Sequence, residues 1–270
     1  MRLKTAFLMI PLAGLALTAQ QTPTPAPAAV PVAAPATVPT CTELATALTA
    51  LGRNDMRLRD WAALGRYREQ NRTLSAPAAT EQRVVFMGDS ITDAWPQPRF
   101  GTFFEGKPYV GRGISGQTTP QMLIRFRPDV VALKPKVVVI LAGTNDIAGN
   151  TGPMTNEEIQ DNLASMAEIA KANNIKVVFS SILPVSAYHT AANGVPQTQT
   201  RPMERIKAVN EWMKKYAAAE KHTYLDYVPA MSDASGLLRT ELSADDLHPN
   251  AAGYAIMGPL AENAIREALR

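Results

Sequence analysis

Cysteine is almost absent from this sequence of 270 residues: Cys41 is the single one, which rules out an intrachain disulfide. Histidine is nearly as scarce, at three residues (His189, His222, His248), and no C-x-x-C or His-x-x-x-His spacing occurs. A dedicated metal site is therefore not supported. Charged residues make up 19% and the formal net charge is +3. Removing residues 1–19 takes Arg2 and Lys4 with it and leaves 25 of the 27 basic residues against 24 acidic ones. That balance gives no support to nucleic-acid binding or to attraction by an anionic membrane. Apolar runs long enough for a stable membrane span are also lacking.

What is present is hydrophobic content of 46%, enough for one large domain or two small ones with a sizeable core. Residues 1–19 have the pattern of a secretory signal: Arg2 and Lys4, an apolar stretch over 6–17, and the small Ala19 at a cleavage position. The alternative is an uncleaved anchor. A protein exported to the periplasm or beyond is expected, with no span left after signal removal. Residues 20–40 are dominated by Pro, Ala, Thr and Val and read as an extended linker.

Residues 42–51 and 57–74 read as two helices, forming an extension over 41–82. Leu58, Trp61, Ala62, Leu64 and Tyr67 recur at helical spacing, with Trp61 and Tyr67 expected as core contacts. From Arg83 the pattern alternates. Apolar strands are expected at 84–87, 109–110, 136–141, 175–181 and 224–227. Helices are expected after Thr118 or Thr119, over 155–173 with a Thr155/Glu158 capping box, over 202–219, and from Asn250 towards Leu269 with a kink at Pro259. Strands alternating with helices imply right-handed crossovers and a mostly parallel sheet of about five strands. The predicted fold class is α/β: a three-layer α/β/α sandwich, flavodoxin-like, over 83–270, preceded by the two helices.

Four polar clusters each fall just past a strand or before the last helix. Gly88-Asp89-Ser90 delivers a serine at a strand tip, where open α/β sheets bind ligands. Alone, Ser90 is equally readable as a helix cap. Gly113-Ile114-Ser115-Gly116 lets backbone N–H groups approach a ligand, or is a plain glycine turn. Gly143-Thr144-Asn145-Asp146 offers an amide donor for an anionic oxygen, or a turn in which Asn and Asp bond their own backbone. In Asp245-Asp246-Leu247-His248-Pro249-Asn250, Pro249 pushes His248 out of the α region, and a carboxylate three residues earlier can fold back onto its Nδ1.

These clusters resemble the sequence blocks of the SGNH hydrolases, the GDSL esterase/lipase family. Residues 86–92 are similar to block I, 113–119 to block II, 143–146 to block III and 245–249 to block V, in family order. Residues 59–71 also resemble a helical preface of some bacterial members. The resemblance implies Ser90 as nucleophile, His248 as general base and then acid, and Asp245 as its orienting carboxylate. It implies an oxyanion hole from the Ser90 and Gly116 N–H groups and the Asn145 amide, with no metal and no cofactor. Two departures stand out. Gln117 occupies a position where many relatives have Asp, and Asp246 one where Gly is frequent; the family spacing favours Asp245 over Asp246.

The implied function is hydrolysis of short acyl esters, with acetyl groups on carbohydrate favoured because no long greasy stripe is visible. Alternatives are a lysophospholipase or thioesterase, an acyltransferase, and a non-catalytic carbohydrate-binding module. Trp95 and Arg112 flank the expected crevice as candidate substrate contacts. The polar loop 184–200 is a candidate wall. His189, His222 and Asp226 are expected to be surface or structural. The sequence leaves the oligomeric state open.

Overall fold

The computed structural model describes residues 40–101, 103–189 and 194–270. The signal pattern and nearly all of the Pro/Ala-rich stretch lie outside the described residues. By their contacts the residues divide at Thr46/Ala47. In the first unit the described residues are 40–46, where the Glu43 carboxylate accepts from the Thr40 N–H at 2.6 Å.

Ten α-helices and five strands occur among the described residues. In chain order they are α1 (Cys41–Arg59), α2 (Arg68–Thr73), β1 (Val84–Gly88), α3 (Ser90–Ala94), β2 (Tyr109–Gly113), α4 (Thr119–Asp129), β3 (Val137–Leu141), α5 (Thr144–Ile147), α6 (Asn156–Ala172), β4 (Lys176–Ser180), α7 (Gln197–Thr200), α8 (Met203–Glu220), β5 (Thr223–Leu225), α9 (Val228–Met231) and α10 (Ala251–Ala268). The sheet is all parallel with order β2-β1-β3-β4-β5. This is the flavodoxin-like order, so the expected three-layer α/β fold is the one observed.

The two-residue period of each strand sorts its side chains between two layers. Val85, Met87, Val138, Ile140, Val177 and Phe179 meet the apolar stripes of α4, α6 and α8. Val84, Phe86, Val137, Val139, Val178 and Leu225 meet α10 and the start of α3. Strands buried on both faces explain why 84–87 and 137–141 read as unbroken apolar runs. Helix starts follow their caps: Glu158 reaches back to the Thr155 N–H at 2.7 Å, and Asn250 accepts from Ala252 and Gly253 at 2.9 and 3.1 Å. Helix α10 runs on past Pro259 to Ala268.

The expected second N-terminal helix is corrected. Helix α1 ends at Arg59, and 60–67 are turns before the short α2. The Asp60 carboxylate takes the Leu64 and Gly65 N–H groups at 2.7 and 2.8 Å, and Ala63 adopts φ +53°, which a helix cannot accommodate. The helical stripe is accordingly broken. Ala62 and Tyr67 are buried, whereas Leu58 and Leu64 face solvent and Trp61, expected in the core, is 43% exposed.

Register sets the level of the loops. Gly88 at the end of β1 pairs with Gly113 of β2 on one side and Leu141 of β3 on the other. The topological switch point thus lies between β1 and β3, and the loops after β1, β2 and β3 emerge side by side. Arg125 of α4, fully buried, ties this rim together. It donates to the carbonyls of Gly88 (2.9 Å) and Arg112 (2.8 Å), to Asp129 (3.1 Å) and to the Gln117 side chain. At Gly113 a Cβ would run into the Asp93 backbone nitrogen, so only glycine lets β2 pass this close to α3.

Candidate active site

Ser90 is the first residue of α3, and Asp89 caps that helix through its side chain, which accepts from the Ile91 N–H at 2.9 Å. The first N–H groups of a helix have no partner within it, so the Ser90 N–H is left to face a ligand. Ser90 Oγ lies 2.9 Å from His248 Nε2, across 158 positions of sequence. His248 Nδ1 lies 2.6 Å from Asp245 Oδ2. The other Asp245 oxygen accepts from the His248 and Leu247 N–H groups at 2.7 and 3.2 Å. Those two bonds fold the 245–248 turn so that the carboxylate and imidazole meet edge to edge.

Asp245 and Asp246 have separate partners. Asp246 sits at φ +66°, which swings it away from His248. It accepts instead from Ser186 Oγ, from the Tyr188 and His189 N–H groups, and pairs with His189 Nδ1 at 2.9 Å. His189 is therefore tied to the loop anchored by Asp246. His222 packs among Phe179 and Tyr216, and Asp226 accepts from Val228 N–H in a turn.

The electrostatics of the carboxylates differ. Partial burial pushes the Asp245 carboxyl up, but hydrogen bonds from the His248 ring and backbone, with the charge of that ring, outweigh it and hold it well below the usual range. Asp89 is fully buried with one oxygen unpartnered, and burial raises its pKa from 3.8 to about 6 against the opposing Ile91 hydrogen bond. An acid whose pKa is raised by folding is destabilised in its charged form, so the cost appears as pH rises through about 4 to 6 and persists above it. Asn at 89 keeps the acceptor for Ile91 and carries no charge. Asp89→Asn is therefore expected to be more stable than the parent by about 3 kcal/mol at pH 8. The difference vanishes below about pH 4, as read by urea unfolding across pH. An unchanged difference at both ends would show that Asp89 ionisation is not the cause.

The two further candidate oxyanion donors lie on the next two loops. Gly116 has φ +78° and is exposed; its carbonyl accepts from Asn150 Nδ2 at 3.0 Å. Asn145, buried in α5, donates from Nδ2 to the Gln117 carbonyl at 3.0 Å, and its Oδ1 faces the Arg201 guanidinium at 3.5 Å. A carbonyl only accepts and a guanidinium only donates, so these neighbours fix which way the amide points. One Nδ2 hydrogen remains for a ligand. Gly143, at φ +116° with Ile182 against any added Cβ, makes the turn that starts α5.

Gln117 is explained by its contacts. Its Nε2 donates to the Ala62 carbonyl at 2.8 Å and its Oε1 accepts from Arg125. A carboxylate there would keep the second bond and lose the first, because it has no hydrogen to give.

The two remaining candidate substrate contacts, Trp95 and Arg112, do not line the cleft at Ser90. Trp95 is buried in an aromatic cluster, with Phe86 and Tyr254 at ring separations of 5.8 and 5.1 Å. Arg112 points into the protein, bonding Asn71 Oδ1 at 2.9 Å and lying 4.7 Å above the Tyr67 ring. Both belong to packing. The cleft at Ser90, of about 390 Å³, is instead lined by Gln97, Arg99, Phe100, Ser115 and Ala244 together with the 245–250 turn. Of the described residues in 184–200, none lines it. Sequence reading passed over Arg125 and Arg201. Arg125 had a visible signal: it shares the inward spacing of Met122, Phe126 and Asp129 on α4. Arg201 had none, since its role depends on loops far apart in the chain. No group of three or more His, Cys, Asp or Glu side chains gathers among the described residues in a way that holds a metal.

Residues 86–256 match the GDSL-like lipase/acylhydrolase family. The chain belongs to that family. Two of its relatives carry esterase names. It is 29% identical over 184 residues to Esterase TesA of Pseudomonas aeruginosa, covering 63% of this chain and 81% of the relative. It is 25% identical over 204 residues to an acetylxylan esterase of Geobacillus stearothermophilus, covering 65% and 90%. A GDSL-like lipase structure from Bacteroides thetaiotaomicron matches at 40% identity and TM-score 0.69, over 77% of this chain and 98% of that one. The GDSL chain described here is a carboxylic ester hydrolase. No helix among its described residues is long and apolar enough to cross a membrane.

Proposed function

We propose that the protein is an exported serine esterase that removes short acyl groups, acetyl foremost, from carbohydrate. The observation that carries the mechanism is the unbroken chain of contacts from Ser90 Oγ to His248 Nε2 and from His248 Nδ1 to Asp245 Oδ2, at 2.9 and 2.6 Å. Ser90 Oγ attacks the ester carbonyl carbon as its proton passes to His248 Nε2. The carbonyl oxygen becomes an oxyanion held by the Ser90 and Gly116 N–H groups and by Asn145 Nδ2, with the positive end of α3 adding potential. Collapse expels the alcohol, which takes the proton from His248 and leaves acyl-Ser90. Water then attacks the acyl carbon with His248 as base, releasing the acid and restoring Ser90.

The acetyl preference rests on the cleft. Gln97, Arg99, Ser115 and Asn250 line it beside the apolar Ala94, Phe100, Ala244 and Pro249, so an acetyl methyl finds apolar contact while a longer chain laid over the polar side would strip it of water without repayment. The acetylxylan esterase among the relatives acts on an ester of this kind. Carbohydrate outside the cell suits the signal pattern of residues 1–19. The expected result is that kcat/KM on p-nitrophenyl acetate exceeds that on p-nitrophenyl octanoate. Faster turnover of the octanoate would favour the lysophospholipase or thioesterase reading.

A further inference from the structure

Beside the cleft at Ser90 lies a second cavity of about 510 Å³ that the mechanism above does not use. One wall is the oxyanion loop itself, Ser115 and Gly116, and the other is the turn at Asp60 and Trp61 that precedes α2. Ser115 lines both cavities, so the two lie side by side along the same loop. Gly116, the proposed oxyanion donor, lines this space, which leaves room there for the part of an ester beyond its carbonyl.

The turn is held there deliberately by two glutamines. Gln117 Nε2 donates to the Ala62 carbonyl at 2.8 Å and Gln121 Nε2 to the Trp61 carbonyl at 2.7 Å. The bonds hold the carbonyls of Trp61 and of the next residue, Ala62, and the ring stays 43% exposed although large aromatics normally seek burial. Around it the lining is polar: Asp60, Gln121, Asn150 and Thr151. A fatty chain here would desolvate those groups with nothing to bond them. A sugar ring has the complementary character, with an apolar C–H face for an indole and hydroxyls at its edge for amides and a carboxylate.

We infer that this cavity is a pyranose-binding subsite, with Trp61 as the stacking platform for the carbohydrate part of the ester. The inference rests on the carbohydrate-esterase reading above, and it assigns to the turn at residues 60–63 a role in substrate selection.

The test separates binding from turnover. Ser90→Ala chain is titrated calorimetrically with xylo-, cello- and chito-oligosaccharides, deacetylated and acetylated. At least one series is expected to bind, with Kd weakened by about tenfold or more when Trp61→Ala is added, and by less than about threefold with Trp61→Phe, which keeps a ring. In the Ser90-intact protein, the ratio of kcat/KM for the acetylated oligosaccharide to that for p-nitrophenyl acetate is expected to fall by about tenfold in Trp61→Ala, through KM. Binding through Trp61 without deacetylation would keep the subsite and sink the carbohydrate-esterase reading. Deacetylation with an unchanged KM in Trp61→Ala would keep that reading and overturn the subsite. Absence of binding across all three series overturns the subsite as well.

Discussion

Asp245→Asn is expected to lower kcat on p-nitrophenyl acetate by about four orders of magnitude, with little change in the folded structure. Asp245 accepts from His248 Nδ1 at 2.6 Å, which leaves Nε2 free to take the Ser90 proton. A carboxamide presents an N–H there as easily as an oxygen. The imidazole then carries its hydrogen on Nε2, the wrong nitrogen for a base towards Ser90. The charge that stabilises the imidazolium is lost as well. Asp246 cannot stand in, because its left-handed backbone commits both its oxygens to Ser186, Tyr188 and His189. Asp246→Asn should therefore affect the 186–189 loop more than the rate. Steady-state kinetics on the two variants, with circular dichroism as a check on folding, decides between them. A large loss in Asp246→Asn beside normal activity in Asp245→Asn would reverse the assignment.

Asn145→Ala carries the second large effect. Removing one oxyanion donor costs ~2.7–4 kcal/mol of barrier, or about 10²–10³ in kcat. The donor acts on charge that develops only in the transition state, so kcat and kcat/KM should fall together while KM holds. The side chain also bridges Gln117 and Arg201. Some loss of melting temperature is therefore expected alongside, and a rate loss measured well below the melting transition separates the two. Activity within about threefold of the parent would remove Asn145 from the oxyanion hole.

Much of this architecture was legible because it depends on local pattern. Both-face burial made 84–87 and 137–141 continuous apolar runs, and the capping residues Thr155 and Asn250 marked helix starts within a residue. Pro249 marked His248 as lying ahead of the last helix, and it falls in the bend before α10. The failures have a common cause: they concern which of several allowed conformations long-range contacts select. The 57–74 stripe had helical spacing, yet the Asp60 carboxylate and the Gln117 and Gln121 side chains hold 60–67 as turns. Trp95 and Arg112 sit next to the strand ends in sequence, but side-chain direction decided against the cleft. Arg112 is drawn inward by Tyr67 and Asn71, residues about forty positions away. Residue chemistry alone did not separate Asp245 from Asp246; the resemblance favoured Asp245, and it is Asp245 that lies against His248 while Asp246 turns to Ser186 and His189.

Ser90 is expected to be the group acylated during turnover, with His248 as its base. The most direct measurement is labelling of the intact protein by a serine-reactive alkyl phosphonate, followed by peptide mass spectrometry. The account predicts one adduct, on Ser90, formed in parallel with loss of esterase activity, absent in Ser90→Ala and slowed at least a hundredfold, roughly, in His248→Ala. An active protein that takes up no phosphonate at Ser90, or that carries it on another serine, would contradict it.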